Sequence, residues 1–141
     1  MTCVLDACAL ITYLNGEPGK EIMRDLFRQA VDRKMALYMS VVNMIEVRYG
    51  YIRDMGPERA QHLFEQIQSS PITIIHDISN NALACAARLK ASYSCSLADA
   101  IGIATAIELS AQFVTSDHKE LEAVEKAESL SVLWLPPHPK K

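Results

Sequence analysis

Val4-Leu5-Asp6-Ala7-Cys8-Ala9-Leu10 opens the chain with a short apolar run that stops at an acid. The run has strand character and too few residues for a helix, so Asp6 reads as the end of a first strand. Short apolar or β-branched runs recur at Ala36–Ser40, Ile72–His76, Gln112–Thr115 and Ser131–Leu135. Segments of helical length lie between them. Lys20–Lys34 sets Ile22, Leu26, Ala30 and Val31 on one face, with Arg24 and Arg28 elsewhere. A helix around Val42–Asp54 meets the Gly56-Pro57 break, and a second follows to Ser69. Ser79–Tyr93 and Ser96–Ser110 read as helices, the latter very apolar and therefore central, and His118–Ala127 as the last. Strands and helices alternate, and the strands are continuously apolar rather than half polar. This predicts an α/β protein, a three-layer α/β/α sandwich around a mainly parallel sheet.

A length of 141 residues suits one domain with one filled core. That domain is expected over residues 1–135, with Pro136-Pro137-His138-Pro139-Lys140-Lys141 leaving it as a tail. Half the residues are hydrophobic and 22% charged, which excludes a disordered or fibrous chain. No apolar run nears the roughly 20 residues that cross a bilayer, and Met1-Thr2-Cys3-Val4 lacks the basic start of a secretion signal. A cytoplasmic protein without a membrane partner is expected. Cys3, Cys8, Cys85 and Cys95 make no Cys-x-x-Cys pair and have no histidine at zinc-finger spacing, so free thiols are expected. A net charge of −3 argues against sequence-blind coating of nucleic acid, though not against an enzyme touching a phosphate chain at one basic patch.

Ligands of open α/β sheets sit beyond the C-terminal ends of the strands. Asp6 ends the first strand; Ser40 ends the second, with Glu46 on the helix after it. Asp99 falls in the first turn of the apolar helix, and Asp117 just after Phe113-Val114-Thr115. Singly, each has a structural reading. Asp6 fits a helix cap, Ser96-Leu97-Ala98-Asp99 and Asp117-His118-Lys119-Glu120 fit capping boxes, and Glu46 fits a solvated helix position. Together they place four acids at one edge of the sheet. Two carboxylates about 5 Å apart repel by roughly 3 kcal/mol at an effective dielectric near 20. Such a set must take up protons or a cation. Hard oxygen ligands suit Mg²⁺ or Mn²⁺, and the natural reaction is phosphodiester hydrolysis.

The same stretches resemble the motifs of the PIN-domain family. Val4-Leu5-Asp6-Ala7-Cys8-Ala9-Leu10 is similar to its first motif and Ser40-Val41-Val42-Asn43-Met44-Ile45-Glu46 to its second. Ser96-Leu97-Ala98-Asp99-Ala100 is similar to the third and Val114-Thr115-Ser116-Asp117 to the fourth. The resemblance spans nearly the whole chain. It implies a PIN fold and metal-dependent cleavage of single-stranded RNA, with Asp6, Glu46, Asp99 and Asp117 binding Mg²⁺ or Mn²⁺. It implies that Thr115 and Ser116 orient water or a carboxylate. The short length looks like the VapC toxins, ribonucleases that dimerise and are silenced by a small VapB-type antitoxin. Two positions depart from the pattern. Cys8 stands where a small hydroxyl or alanine is frequent, and Ile103 where some relatives carry a further acid.

Other residues carry two readings each. Arg24 and Arg28 fit a solvated helix face, or contact with RNA or antitoxin. Arg48, two residues past Glu46, fits a contact to the scissile phosphate or an ion pair with a neighbouring acid. Tyr49 and Tyr51 fit a partner groove or the core. His118 has no evident partner, and Trp134 reads as core. A haloacid-dehalogenase-like phosphatase needs a second aspartate where this chain has Cys8, and a response-regulator receiver needs an acidic pair where only Asp6 is acidic. A non-catalytic PIN-fold interaction module, or a PIN nuclease of RNA processing without an antitoxin, stands as the alternative function.

Overall fold

Every strand among the described residues runs in the same direction. A computed structural model describes residues 1–137, so residues 138–141 of the expected tail lie outside it. The chain runs β1 (Thr2–Leu5), α1 (Ala7–Asn15), α2 (Lys20–Val31), β2 (Ala36–Ser40), α3 (Val41–Met55), α4 (Pro57–Gln68) and β3 (Ile72–Ile75). It continues with α5 (Asn80–Ser92), α6 (Leu97–Glu108), β4 (Gln112–Thr115), α7 (His118–Ala127) and β5 (Val132–Trp134). The five strands form one parallel sheet in the order β3-β2-β1-β4-β5. Helices cover both faces, as the continuously apolar strands predict.

The order explains where a site belongs. From β1 the chain steps outward to β2 and β3, then returns across β1 to add β4 and β5 on the other side. The connections after β1 and after β4 therefore leave neighbouring strand ends in opposite directions, which opens a crevice between them.

Alternation along β1 divides the core. Cys3 and Leu5 join Leu10, Met23, Phe27, Met39 and Met44 beneath α1–α4. Val4 faces the opposite way, with Leu89, Ile103, Phe113 and Leu121 beneath α5–α7. On that second face α6 approaches β4 very closely. A Cβ on Gly102 would lie 2.9 Å from the Phe113 ring, so only glycine fits there. A glycine inside a helix costs about 0.5–1 kcal/mol relative to alanine; here it lets α6, with Asp99 in its first turn, sit down on the sheet.

Helix α1 has no counterpart among the expected elements. Ala7–Asn15 is apolar on nearly every side, so no helical stripe stands out from its sequence. It is defined instead by its ends. The Asp6 carboxylate caps it, and Gly16, at φ 64°, donates its N–H to the carbonyls of Thr12 and Tyr13. Helix α2 stops at Val31, short of Lys34, because Arg33 turns left-handed (φ 61°) and Lys34 N–H folds back to the Gln29 carbonyl at 2.8 Å. Trp134 is not core. It lies half-buried on the edge strand β5, donating from Nε1 to Glu125 at 3.0 Å.

Candidate metal centre

The sheet places Asp6 and Asp117 on either side of the crevice. Asp6 follows β1, with its N–H bonded to the Val114 carbonyl of β4 at 3.2 Å. Its Oδ1 accepts the Ala9 N–H at 2.8 Å, capping α1. The side chain is 1% exposed, and Oδ2 is buried without a hydrogen-bond partner. Burial is the main force raising its pKa to about 8. The nearby Thr115 hydroxyl and the Ala9 N–H oppose the rise, and the charges of Asp99 and Asp117 add to it.

Asp117 follows β4 and caps α7, accepting the Glu120 N–H at 3.3 Å. Its own N–H donates to Thr115 Oγ1 at 3.0 Å, so the fully buried Thr115 fixes the turn that carries the acid. Asp99 comes from the first turn of α6, which Ser96 caps through the Asp99 N–H at 3.0 Å. Its pKa rises to about 6, through burial first and then the charge of Asp117; Ser96 holds it down, while Glu46 and Glu120 push it up. Glu46, half-buried on α3, is raised by burial.

One carboxylate oxygen each from Asp99, Asp117 and Glu120 lies within 4.8 Å of the others. The set thus holds Asp99 and Asp117 but neither Asp6 nor Glu46. Asp6 lies near enough for the charges of Asp99 and Asp117 to act on it, and Glu46 near enough to influence Asp99. Glu120 was not expected. Its sequence position reads as the capping partner of Asp117, yet the cap uses its backbone N–H and leaves its carboxylate to the cluster. Among the described residues these acids have no ion-pair partner. An all-oxygen donor set, with the orphaned, buried carboxylate oxygen of Asp6 in its neighbourhood, fits a hard divalent cation such as Mg²⁺ or Mn²⁺.

Other expectations resolve differently. Arg48 is not with the acids: its Nη2 donates to Gln61 and its guanidinium lies 4.1 Å over the Phe64 ring, both on α4. Two residues span about 200° of a helix, so Arg48 leaves α3 on the side away from Glu46. Ser116 is 4% exposed, and its buried Oγ lies beside the Cys8 thiol. Cys8 is a half-buried free thiol; burial, followed by the charges of Asp6, Asp99 and Asp117, drives its pKa upward, so it stays protonated. His118 does have partners: Nε2 with the Leu135 carbonyl at 2.7 Å and Nδ1 with Glu122 at 3.1 Å, its ring stacked 4.4 Å from that of Trp134.

The family model of the PIN domain matches residues 3–127. The chain belongs to the PIN domain family. No curated protein sequence matches it. Among solved structures, the protein is similar to VapBC2 of Rickettsia felis, crystallised on a promoter DNA fragment (TM-score 0.75, 18% identity, 94% of this chain and 98% of that one). It is similar to DNA-bound VapBC of Salmonella typhimurium (TM-score 0.72, 18% identity, 94% and 97%). It is also similar to VapC20 of Mycobacterium tuberculosis, a toxin that cleaves the sarcin–ricin loop (TM-score 0.64, 12% identity, 83% and 91%). At these identities the likeness establishes the PIN fold. No helix among the described residues is long and apolar enough to cross a membrane.

Proposed function

We propose that this PIN-domain protein is a Mg²⁺- or Mn²⁺-dependent endoribonuclease, the toxin of a VapBC-type pair. One observation carries the reading: a fully buried aspartate, Asp6, keeps one oxygen unpartnered near Asp99 and Asp117, and among the described residues no cation pairs with these acids. The similar structures, two VapBC proteins on DNA and one toxin that cleaves the sarcin–ricin loop, agree with it. A homodimer in the cytoplasm, silenced by a small VapB-type antitoxin, completes the proposal.

In this reading Asp6, Asp99, Asp117 and Glu120 hold the cation, with Glu46 at the rim. A bound divalent cation supplies a Lewis acid for a phosphoryl oxygen and acidifies water. The residues do the rest. Thr115 fixes the Asp117 backbone, and the Ala9 N–H fixes Oδ1 of Asp6, so two carboxylates are oriented before substrate arrives. Glu46, whose affinity for protons is raised by burial, accepts one from the attacking water in this reading. Water adds to phosphorus, the P–O bond to the leaving ribose breaks, and that oxygen takes up a proton.

Incubating single-stranded RNA with the protein, with and without EDTA, tests the reading. Cleavage is expected only without chelator, and Asp6→Asn should remove it while circular dichroism stays native. Metal-independent cutting, or full activity of Asp6→Asn, overturns it. Expression of the chain alone should arrest bacterial growth, and expression of Asp6→Asn should not.

A further inference from the structure

We propose that Asn43 is a positioning residue of the acid cluster, its amide Nδ2 donating to the Asp99 carboxylate when a divalent cation is bound. The inference rests on the metal reading of that cluster and names a residue that holds one of its carboxylates in line. Asn43 lies in the first turn of α3 and is 0% exposed. Both polar atoms of its amide are buried without a hydrogen-bond partner among the described residues. Met44 and Val47, beside it on the helix, belong to the apolar core. An amide left in that state costs free energy that an apolar side chain of the same shape would not. Packing alone therefore gives no reason for asparagine here.

Its surroundings supply one. A Cβ on Gly102 would lie 3.5 Å from Asn43 Nδ2, so the amide nitrogen stands against α6 at that glycine. Side chains on a helix lean towards its N-terminus, and residues three apart share a face. The space over Gly102 therefore borders the turn that carries Asp99, and the missing side chain lets the amide approach it. The same geometry sends Glu46, three residues past Asn43 on α3, back over the turn that holds the amide. The amide is thus a turn away from an acid on each of two helices.

Asp99 has a use for the donor. Ser96 is the hydrogen-bond donor that lowers its proton affinity, against burial and the charges of Asp117, Glu46 and Glu120. Carboxylates that bind a metal are oriented by hydrogen-bond donors behind them. Nδ2 has already been stripped of water by the fold, so making the bond costs no further desolvation of the donor. The Phe113 ring stands at the same spot, its Cε1 2.9 Å from the Gly102 Cβ position. An N–H over a ring is a weak bond that does not offset a buried amide, so contact with Phe113 leaves the asparagine unexplained.

Asn43→Leu keeps the branched shape of the side chain and removes its polar atoms, so stability and metal binding should move in opposite directions. In EDTA its melting temperature should rise by about 2 °C or more, because a buried unpaired amide is gone. Its Mn²⁺ affinity, read by electron paramagnetic resonance on the full chain, should fall about tenfold. In the ¹⁵N-labelled parent, the Asn43 side-chain amide signals, identified by their loss in Asn43→Leu, should move downfield as Mg²⁺ is added. Asn43→Ala, which cannot overpack the site, should show the same loss of Mn²⁺ affinity. Affinity within about twofold of the parent in both variants, or amide signals that Mg²⁺ leaves in place, overturns the inference while the metal reading stands. A loss of affinity matched by a lower melting temperature in both variants shows a packing role and overturns it as well. A parent that binds no Mn²⁺ refutes the inference and the metal reading together.

Discussion

Acids are treated in opposite ways at the two ends of α7. At its C-terminal end Glu128 receives Arg88 through both guanidinium nitrogens, at 3.1 and 2.7 Å, and the Tyr93 hydroxyl at 2.7 Å. Those bonds, Arg88 first, hold its carboxyl below the ordinary range. At the N-terminal end Asp117 and Glu120 meet Asp99, with Asp6 nearby, and among the described residues no cation pairs with them. Their environments push Asp6 and Asp99 upward instead. The sequence contains 14 lysines and arginines, and one of them satisfies Glu128 fully, so the bare cluster does not reflect a shortage of cations. A repulsive site kept within a stable fold is an arrangement made for something that arrives from outside.

The largest expected effect lies at the bare end. Asp99→Asn removes a carboxylate that faces Asp6, Asp117, Glu46 and Glu120 together, so it should weaken Mn²⁺ binding on the order of 100-fold and abolish RNA cleavage. Glu120→Gln, at the outer margin, should weaken Mn²⁺ about tenfold. Electron paramagnetic resonance titration of free Mn²⁺ reads both. Equal affinities for parent and Asp99→Asn would remove the contrast between the two ends.

Stability of the metal-free protein offers the next test. Asp6 binds its proton with a pKa of about 8 in the fold and near 3.9 in the unfolded chain. The folded protein therefore holds the extra proton, and this stabilisation is complete below about pH 4 and lost as pH rises through about 8. Asp99, at about 6, acts with the same sign over the lower part of that window. In EDTA the melting temperature should fall between pH 5 and pH 8. Asp6→Asn, which keeps a capping oxygen, should recover up to a few kcal/mol at pH 8. Added Mg²⁺ should flatten the parent's slope. A parent whose melting point holds steady or climbs over this range would show that the acids are solvated and the crevice is not strained.

Much of this was legible in the sequence, for identifiable reasons. Ala36–Ser40 and Gln112–Thr115 emerge with their expected bounds because continuous apolar runs between helices have few alternatives in a parallel sheet. The positions of Asp6, Asp99 and Asp117 follow once those strands are parallel, since each lies just past a strand end or within a first helical turn. Helix α1 was hidden by its own apolarity. Glu120 was masked because a capping box and a metal ligand use the same three-residue spacing, and only coordinates separate its N–H from its carboxylate. Arg48 misled by proximity in sequence, although helical geometry alone sends it the other way. The partners of His118 were beyond reach: Leu135 lies 17 residues on, brought back by a strand pairing that no local pattern encodes.

The smallest expected effect tests whether the two ends of α7 are independent. Glu128→Gln keeps the shape of the clamp and removes its charge. The Arg88 side chain is half exposed, and exposed ion pairs contribute little in water. The melting temperature should therefore drop by no more than about 3 °C in a chain of this length. Mn²⁺ affinity and RNA cleavage should stay within about twofold, because helix packing on Leu121 and Val124, both buried, positions the far end without the clamp. A tenfold loss of Mn²⁺ affinity in Glu128→Gln would mean that the paired acid holds α7, and with it Asp117 and Glu120, in place. The two ends would then form one device, with the satisfied carboxylate bearing the strain of the bare ones.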